Sequence, residues 1–167
     1  MDIRIAGTVE DSIVDGPGLR FVVFVQGCPH HCEGCHNPET HDFSAGKLTT
    51  TDALYEMCMV NPLCSGVTFS GGEPFCQPEA LYELGSRFKA AGKHLMCYSG
   101  WTFEELLKKS GREEYVGKLL SILDVLVDGR FDISKRSLSL LFRGSSNQRL
   151  IDVPASLTNG EAVELPE

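Results

Sequence analysis

The sequence carries no excess of positive charge. Its 15 Lys and Arg residues are outnumbered by 23 Asp and Glu residues, so the formal net charge is -8 at pH 7. A protein that binds nucleic acid broadly needs a basic face that displaces counterions from the phosphates. The composition therefore argues against general nucleic-acid binding, and we expect no nucleic-acid partner.

Long apolar runs are missing as well. No stretch approaches the roughly 20 apolar residues of a membrane span, and the N-terminal segment MDIRIAGTVEDSIVDG lacks the apolar run of a signal peptide. We therefore expect a cytoplasmic protein with no membrane partner. Because thiols stay reduced in that compartment, the seven cysteines need a role other than a disulfide framework, and their odd number agrees with this.

The length of 167 residues suits a single domain, 1–167, that is large enough to fold without disulfides. No internal repeat or linker divides the chain. From about residue 156 the sequence becomes polar, and we expect a loosely ordered C-terminal tail there.

Short apolar segments alternate with helical patterns along the chain. Strands are predicted at residues 20–26, 66–69, 94–98 and 124–127. Helices are predicted at 50–59, from about Pro78 to a stop at Gly92, at 102–109 and at 113–123. Such alternation is typical of a mainly parallel sheet with right-handed crossovers.

The chain is too short for an eight-unit barrel of roughly 250 residues. We therefore predict an α/β fold, a partial (open) parallel β/α barrel of about four to six strands. In such folds the ligand site lies at the carboxyl ends of the strands. The loops that follow the predicted strands contain the most unusual residue combinations in the chain.

Three cysteines follow the first predicted strand in a C-x3-C-x2-C pattern, at Cys28, Cys32 and Cys35. Three thiolates this close together point to one soft metal centre. A structural zinc ion would need a fourth ligand, for which the loop offers His30, His31, His36 and His41. A 4Fe-4S cluster would instead use the three thiolates on three irons and leave the fourth iron open. The compact triplet favours the cluster and leaves zinc as the alternative.

A second motif, Ser70-Gly71-Gly72-Glu73-Pro74, follows the next predicted strand. Two adjacent glycines let a backbone approach a ligand closely because no side chain intervenes. Taken alone, the motif is equally consistent with a plain turn between a strand and a helix. Of the remaining cysteines, packing explains Cys58, Cys64 and Cys97, whereas Cys76 lies directly after the motif and its role stays open.

Together and in this order, the two motifs resemble the signatures of radical S-adenosylmethionine (SAM) enzymes. The preceding segment DGPGLR at 15–20 resembles a segment of the activases of glycyl radical enzymes. Three later segments are similar to the activating proteins of anaerobic ribonucleoside-triphosphate reductases: YSGWTFEEL at 98–106, DVLVDGR at 124–130 and RGSSNQR at 143–149. The similarity runs from about residue 3 to residue 153. One departure is Gly34, which stands where many of these enzymes carry an aromatic residue.

The resemblance implies a radical SAM fold and an oxidoreductase with two cofactors, a 4Fe-4S cluster held by Cys28, Cys32 and Cys35, and SAM. The reduced cluster would cleave SAM, and the resulting radical would take a hydrogen atom from a glycine of a partner protein. No catalytic side chain apart from the cluster and SAM is implied. The implied cofactor-binding residues are Gly34, Cys35, His36, Gly71, Gly72, Glu73, Asp128 and Arg130.

The resemblance also implies individual roles. Gly72 would contact the methionine part of SAM, Glu73 would accept hydrogen bonds from its amino group, and Arg130 would pair with its carboxylate. The alternative for Asp128 and Arg130 is a solvated turn. Arg143, Asn147 and Arg149 would contact the partner, or else cap local backbone.

The expected partners are a glycyl radical enzyme, the anaerobic ribonucleoside-triphosphate reductase, and a flavodoxin or ferredoxin that donates electrons. An activase of another glycyl radical enzyme, such as a pyruvate formate-lyase, is an alternative, although the chain has no additional ferredoxin-like cysteine insert. A zinc-stabilised binding module without catalysis is the alternative from a different class.

Overall fold

The computed structural model of the chain describes residues 1–166. Within them, the strands are β1 (Asp2–Ser12), β2 (Arg20–Val25), β3 (Lys47–Thr50), β4 (Gly66–Gly71), β5 (His94–Tyr98), β6 (Val125–Asp128) and β7 (Arg149–Asp152). The α-helices are α1 (Thr51–Met59), α2 (Pro78–Ala90), α3 (Phe103–Ser110), α4 (Glu114–Ile122) and α5 (Val153–Asn159). None of these helices is both long enough and apolar enough to cross a membrane.

The strands form one sheet of seven in the order β3-β1-β2-β4-β5-β6-β7. The four central strands, β2, β4, β5 and β6, are parallel to one another and coincide with the four predicted strands. The predicted α/β fold is thereby confirmed and the sheet is compatible with a partial parallel barrel, although it has seven strands rather than the four to six expected. The outer strands β1, β3 and β7 pair antiparallel to their neighbours, and the sequence patterns did not indicate them.

The helices α1 to α4 correspond to the four predicted helices. Pro78 occupies the first turn of α2, where its missing N–H costs nothing. At the start of α3, the side chain of Thr102 accepts from the backbone N–H of Glu105, and the Glu105 side chain accepts in return from Thr102 N–H. This reciprocal cap is the arrangement that Thr102 and Glu105 predict.

The core lies mainly between these helices and one face of the sheet. Alternate residues of a strand point to opposite faces, and on β5 Leu95 and Cys97 face the large cluster beneath the helices. Met96 faces a smaller cluster on the other side, together with Val125 and Val127 of β6. The central strands are apolar on both faces because both faces are covered.

The C-terminal segment is more ordered than the polar sequence suggests. Ser156 is buried within α5, and its hydroxyl donates to the carbonyl of Asp152 at 2.6 Å. After Gly160, which ends the helix at φ +75°, Glu164 forms a bridge with Ile151 of β7. Backbone pairing with β7 therefore holds the segment that we expected to be loose.

Candidate functional site

The loops that follow β2, β4, β5 and β6 meet at the carboxyl edge of the parallel strands. The loop after β2 contains the three cysteines and closes on itself. Gly27, with φ +105°, donates its N–H to the carbonyl of Thr40 at 2.7 Å, and Cys28 donates to the carbonyl of His41 at 3.2 Å. The positive φ at Gly27, which glycine adopts without steric cost, lets the chain turn sharply out of the strand.

The three thiols line one cavity of about 110 Å³. Glycines form much of its remaining wall: Gly71, Gly72, Gly100 and Gly129. In residues 1–166, no group of three or more His, Cys, Asp or Glu side chains is arranged to hold a metal ion. A 4Fe-4S cluster binds each thiolate through a different iron, so its ligands surround the cluster rather than one ion. Three thiols facing a glycine wall fit such a cluster.

Burial raises the pKa of the Cys28 thiol above its usual value. It does the same for Cys32, although a hydrogen bond from the backbone of Phe131 acts in the opposite direction. Iron binds the thiolate, so cluster binding would displace these protons. All seven cysteines are free.

The Glu73 carboxylate is buried and contacts several of the loops around this cavity. His30 Nε2 lies 2.7 Å from its Oε1. The same carboxylate accepts from Ser99 Oγ at 3.0 Å and from Gly100 N–H at 2.8 Å, and it also accepts from Phe75 N–H at 2.9 Å. The cysteine loop, the loop after β4 and the loop after β5 are thereby tied to one side chain.

These contacts bear on the role expected of Glu73. Its oxygens already accept from groups of this chain, so acceptance from the amino group of SAM stays a prediction. The sequence indicated that Glu73 belongs to the site, but it gave no sign of its contact with His30, which lies 43 positions away.

The two motif glycines lie directly against the cysteine loop. A Cβ on Gly72 would come within 2.4 Å of the Gly27 carbonyl oxygen, and one on Gly71, at φ +99°, within 2.6 Å of the Val25 nitrogen. Gly72 N–H donates to Val25 and Glu73 N–H donates to Gly27. Close backbone packing of the two loops therefore requires glycine at both positions.

Asp128 and Arg130, both expected to bind SAM, have different environments. Asp128 is buried and accepts from Arg149 Nη2 at 2.6 Å and from Phe103 N–H at 2.7 Å. The hydrogen bond with Asp128 raises the pKa of Arg149. Arg130 is half exposed and lies 3.5 Å from Glu105. Pairing of Arg130 with the SAM carboxylate stays a prediction.

A larger cavity of about 670 Å³ adjoins the cysteine cavity. The two share five lining residues, Cys35, Gly71, Tyr98, Phe131 and Gln148. His36 lines the larger cavity, and its ring centroid lies 5.1 Å from that of Phe131. Gly34 lies beside Phe131 and Ile133. Phe131, Tyr98 and Gln148 were not among the predicted cofactor-binding residues. Tyr98 ends β5, Phe131 follows β6, and Gln148 directly precedes β7.

Of the residues expected to contact a partner, Arg143 lines the larger cavity, and all three contact other parts of this chain. Arg143 Nη1 donates to the Gln148 carbonyl at 3.2 Å, and Asn147 donates to the Arg130 carbonyl at 2.8 Å. Arg149 pairs with Glu104 at 2.6 Å as well as with Asp128. Arg143 therefore contacts nearby backbone, Asn147 contacts the backbone of the loop after β6, and partner contact stays a prediction.

Cys76 lies outside both of these cavities. It lines a separate groove with Met1, Tyr115 and Glu113, and burial raises its pKa to about 12. Cys58, Cys64 and Cys97 are buried. Burial away from the thiol-lined cavity accords with packing as the role of these three.

Comparisons with known proteins point to the same chemistry. A family described as a 4Fe-4S single cluster domain matches residues 14–151. The anaerobic ribonucleoside-triphosphate reductase-activating protein of Haemophilus influenzae is 34% identical over 146 residues, 81% of this chain and 89% of that protein. The protein of the same name from Enterobacteria phage T4 is 34% identical over 143 residues, 82% of this chain and 86% of that protein. The pyruvate formate-lyase-activating enzyme of Clostridium pasteurianum is 40% identical over 114 residues, 63% of this chain and 48% of that enzyme.

Proposed function

Because the chain belongs to the 4Fe-4S single cluster domain family and to the family of anaerobic ribonucleoside-triphosphate reductase-activating proteins, we propose that it installs a glycyl radical on such a reductase. Its cofactors are a 4Fe-4S cluster and SAM. When bound and reduced, the cluster supplies the electron that splits SAM into methionine and a 5′-deoxyadenosyl radical, which takes a hydrogen atom from the target glycine.

One observation carries the proposal. Three thiols share a cavity with the glycine-rich loop after β4, and that cavity adjoins a second, larger one. Cys28, Cys32 and Cys35 hold the cluster, and Gly71 and Gly72, which line the same cavity, bring the backbone of the loop after β4 beside it, where SAM binds. The contact of His30 with Glu73 joins the two loops.

The larger cavity would receive the glycine-bearing segment of the reductase. Apolar side chains line its outer part, among them Leu138, Leu140 and Phe142. Leu138 is 87% exposed, which leaves it available to a partner. Arg143 lines the same cavity, and Asn147 and Arg149 follow it in the segment that leads into β7; these three residues would contact the partner.

The seven cysteines are free, and free thiols persist in a reducing compartment. We therefore propose that the protein is cytoplasmic. A flavodoxin or ferredoxin supplies the electron. The 40% identity to a pyruvate formate-lyase-activating enzyme favours a second candidate, in which the target is a different glycyl radical enzyme.

Electron paramagnetic resonance tests the proposal directly. The anaerobically reconstituted protein is reduced and mixed with SAM and either an anaerobic ribonucleotide reductase or a pyruvate formate-lyase. We expect a glycyl radical doublet with the reductase and none when Cys28→Ala replaces the wild-type protein. A doublet with the formate-lyase alone would support the second candidate. Stoichiometric zinc without iron or sulfide would instead show a binding module.

A further inference from the structure

Phe131 lies where the two cavities of the site meet. It is one of five residues that line both the cysteine cavity and the larger cavity. The cysteine cavity, at about 110 Å³, is too small to enclose a whole SAM molecule beside a cluster. The larger cavity that adjoins it past these five residues offers the space for the adenosine end of a SAM molecule anchored through its methionine end.

Among the shared residues, only Tyr98 and Phe131 are aromatic, and Tyr98 is already engaged. Its hydroxyl donates to the Phe142 carbonyl at 2.7 Å, and its ring packs against the smaller core cluster. Gln148 is engaged as well, since its amide donates to Gly129 and accepts from Gly144. Neither core cluster within residues 1–166 includes Phe131.

The backbone at two glycines packs against the edges of the Phe131 ring. A Cβ on Gly34 would lie 3.4 Å from Phe131 Cε1, and a Cβ on Gly144 would lie 3.0 Å from Phe131 Cδ2. The ring thus lies between the cysteine loop, where the Ile133 side chain also packs against Gly34, and the segment before β7. His36 approaches from a third direction, with its ring tilted by 49°. The ring has a fixed place, although it is not part of the core.

We propose that Phe131 is the adenine-stacking residue of the SAM site. The inference rests on the proposed function, because SAM is the ligand. Adenine is a flat aromatic group, and stacking on an aromatic side chain is how proteins commonly hold such a base without hydrogen bonds to its edge. A ring anchored between Gly34 and Gly144 fixes the adenine, and with it the direction in which the 5′-carbon faces the larger cavity.

Equilibrium dialysis of labelled SAM against the oxidised, reconstituted holoprotein under anoxia tests the assignment without turnover. Phe131→Leu removes the aromatic ring and keeps an apolar side chain, whereas Phe131→Tyr keeps the ring. We expect Phe131→Leu to raise the dissociation constant about tenfold, within the range that loss of one base–aromatic stack produces. Phe131→Tyr should bind SAM as the wild-type protein does. Cluster absorbance per chain should be the same in all three proteins.

The possible failures are distinct. A wild-type holoprotein that binds no SAM would overturn the proposed function itself. Wild-type binding with an unchanged dissociation constant in Phe131→Leu would overturn only the role of Phe131. Equal weakening in the Leu and Tyr variants would also overturn it, because the ring would then not be what matters. Should Phe131→Leu fail to take up its cluster, Phe131→Met provides a second variant without a ring.

Discussion

At the scale of single residues, the predicted cluster ligands are three thiols of one short loop. Their C-x3-C-x2-C spacing places three soft ligands close together in the sequence, and the three residues line one cavity; cluster binding by them stays a prediction. The thiols share their cavity with Gly71 and Gly72, whose lack of a side chain lets the loop after β4 pack directly against the backbone of β2 and the cysteine loop.

Replacing Cys28, Cys32 or Cys35 by Ala, one at a time, should abolish the visible absorbance of the cluster and all SAM cleavage. In the proposed site each thiolate would hold a different iron, so two would not keep the cluster and its open iron in place. Cys97→Ala is the matched control, because Cys97 is a buried free cysteine of β5. That variant should keep its cluster and lose about 1 kcal/mol of stability. Full SAM cleavage in any one loop variant would contradict the ligand assignment.

At the scale of secondary-structure elements, buried polar side chains join the loops and strands to one another. Glu73 joins three loops through four donors. Glu73→Gln preserves the shape of the side chain but turns an NH2 group toward donors that need an acceptor. We expect a loss of about 1–3 kcal/mol in the free energy of unfolding, measured by urea titration of the holoprotein under anoxia.

Glu56→Gln is the control for this change, because Glu56 is an exposed residue of α1, and it should alter stability by less than about 0.5 kcal/mol. If both variants unfolded at the wild-type urea concentration, the Glu73 network would contribute nothing to holding the loops. If Glu73→Gln, but not Glu56→Gln, also lost its cluster, the Glu73 network would be needed to position the cysteine loop for cluster binding.

A second buried tie joins β2, β4 and β5. Arg20 is buried, and its guanidinium donates to Thr68 Oγ1 at 2.8 Å, to the Val67 carbonyl at 2.8 Å and to His94 Nδ1 at 3.1 Å. Because the guanidinium is always a donor, Nδ1 must be the unprotonated nitrogen of His94. Burial, reinforced by the Arg20 charge, lowers the pKa of His94 below its usual 6.5.

The lowered pKa of His94 predicts a loss of stability in mild acid. The unfolded chain takes up a proton on this side chain near pH 6.5, while the folded chain takes it up only at lower pH. Stability therefore falls as the pH drops below about 6.5, until the pH passes the folded pKa. Urea midpoints of the holoprotein at pH 7.5 and pH 5.5 should differ more in the wild-type protein than in His94→Gln. Equal pH dependence in the two proteins would show that His94 does not titrate as proposed.

The whole molecule shows which parts of a fold can be predicted from one sequence. The central strands were predictable because burial on both faces makes them continuous apolar runs, such as FVVFV in β2. The long strand β1 was missed because it lies near the edge of the sheet, is largely exposed and has register shifts near Gly7. β7 and α5 were missed because each is short and polar.

The same limit applies to the site. Residues close together in sequence, such as the three loop cysteines, could be grouped from their spacing. The contact of His30 with Glu73 spans 43 positions, and the place of Phe131 between Gly34 and Gly144 depends on how separate loops pack. Those relations exist only once the parallel sheet has brought the carboxyl ends of its strands to one edge.

That edge also predicts where a large partner must approach. Leu138 lies on the segment after β6, lines the larger cavity and is 87% exposed. An exposed apolar side chain at the entrance of a functional cavity is typical of a contact surface. Leu138→Ser should weaken the complex with the reductase by about tenfold and lower the yield of glycyl radical, while SAM binding stays unchanged.

Val60→Ser is the matched control for the partner surface. Val60 is 82% exposed but precedes β4, so it lies toward the amino end of the parallel strands, opposite the site. We expect wild-type affinity for the reductase from this variant, measured by sedimentation of the anaerobic mixture. If Val60→Ser weakened the complex and Leu138→Ser did not, the reductase would dock on the opposite edge. Radical transfer would then have no direct route from the cysteine cavity to the target glycine, because that cavity adjoins the larger one on the Leu138 side.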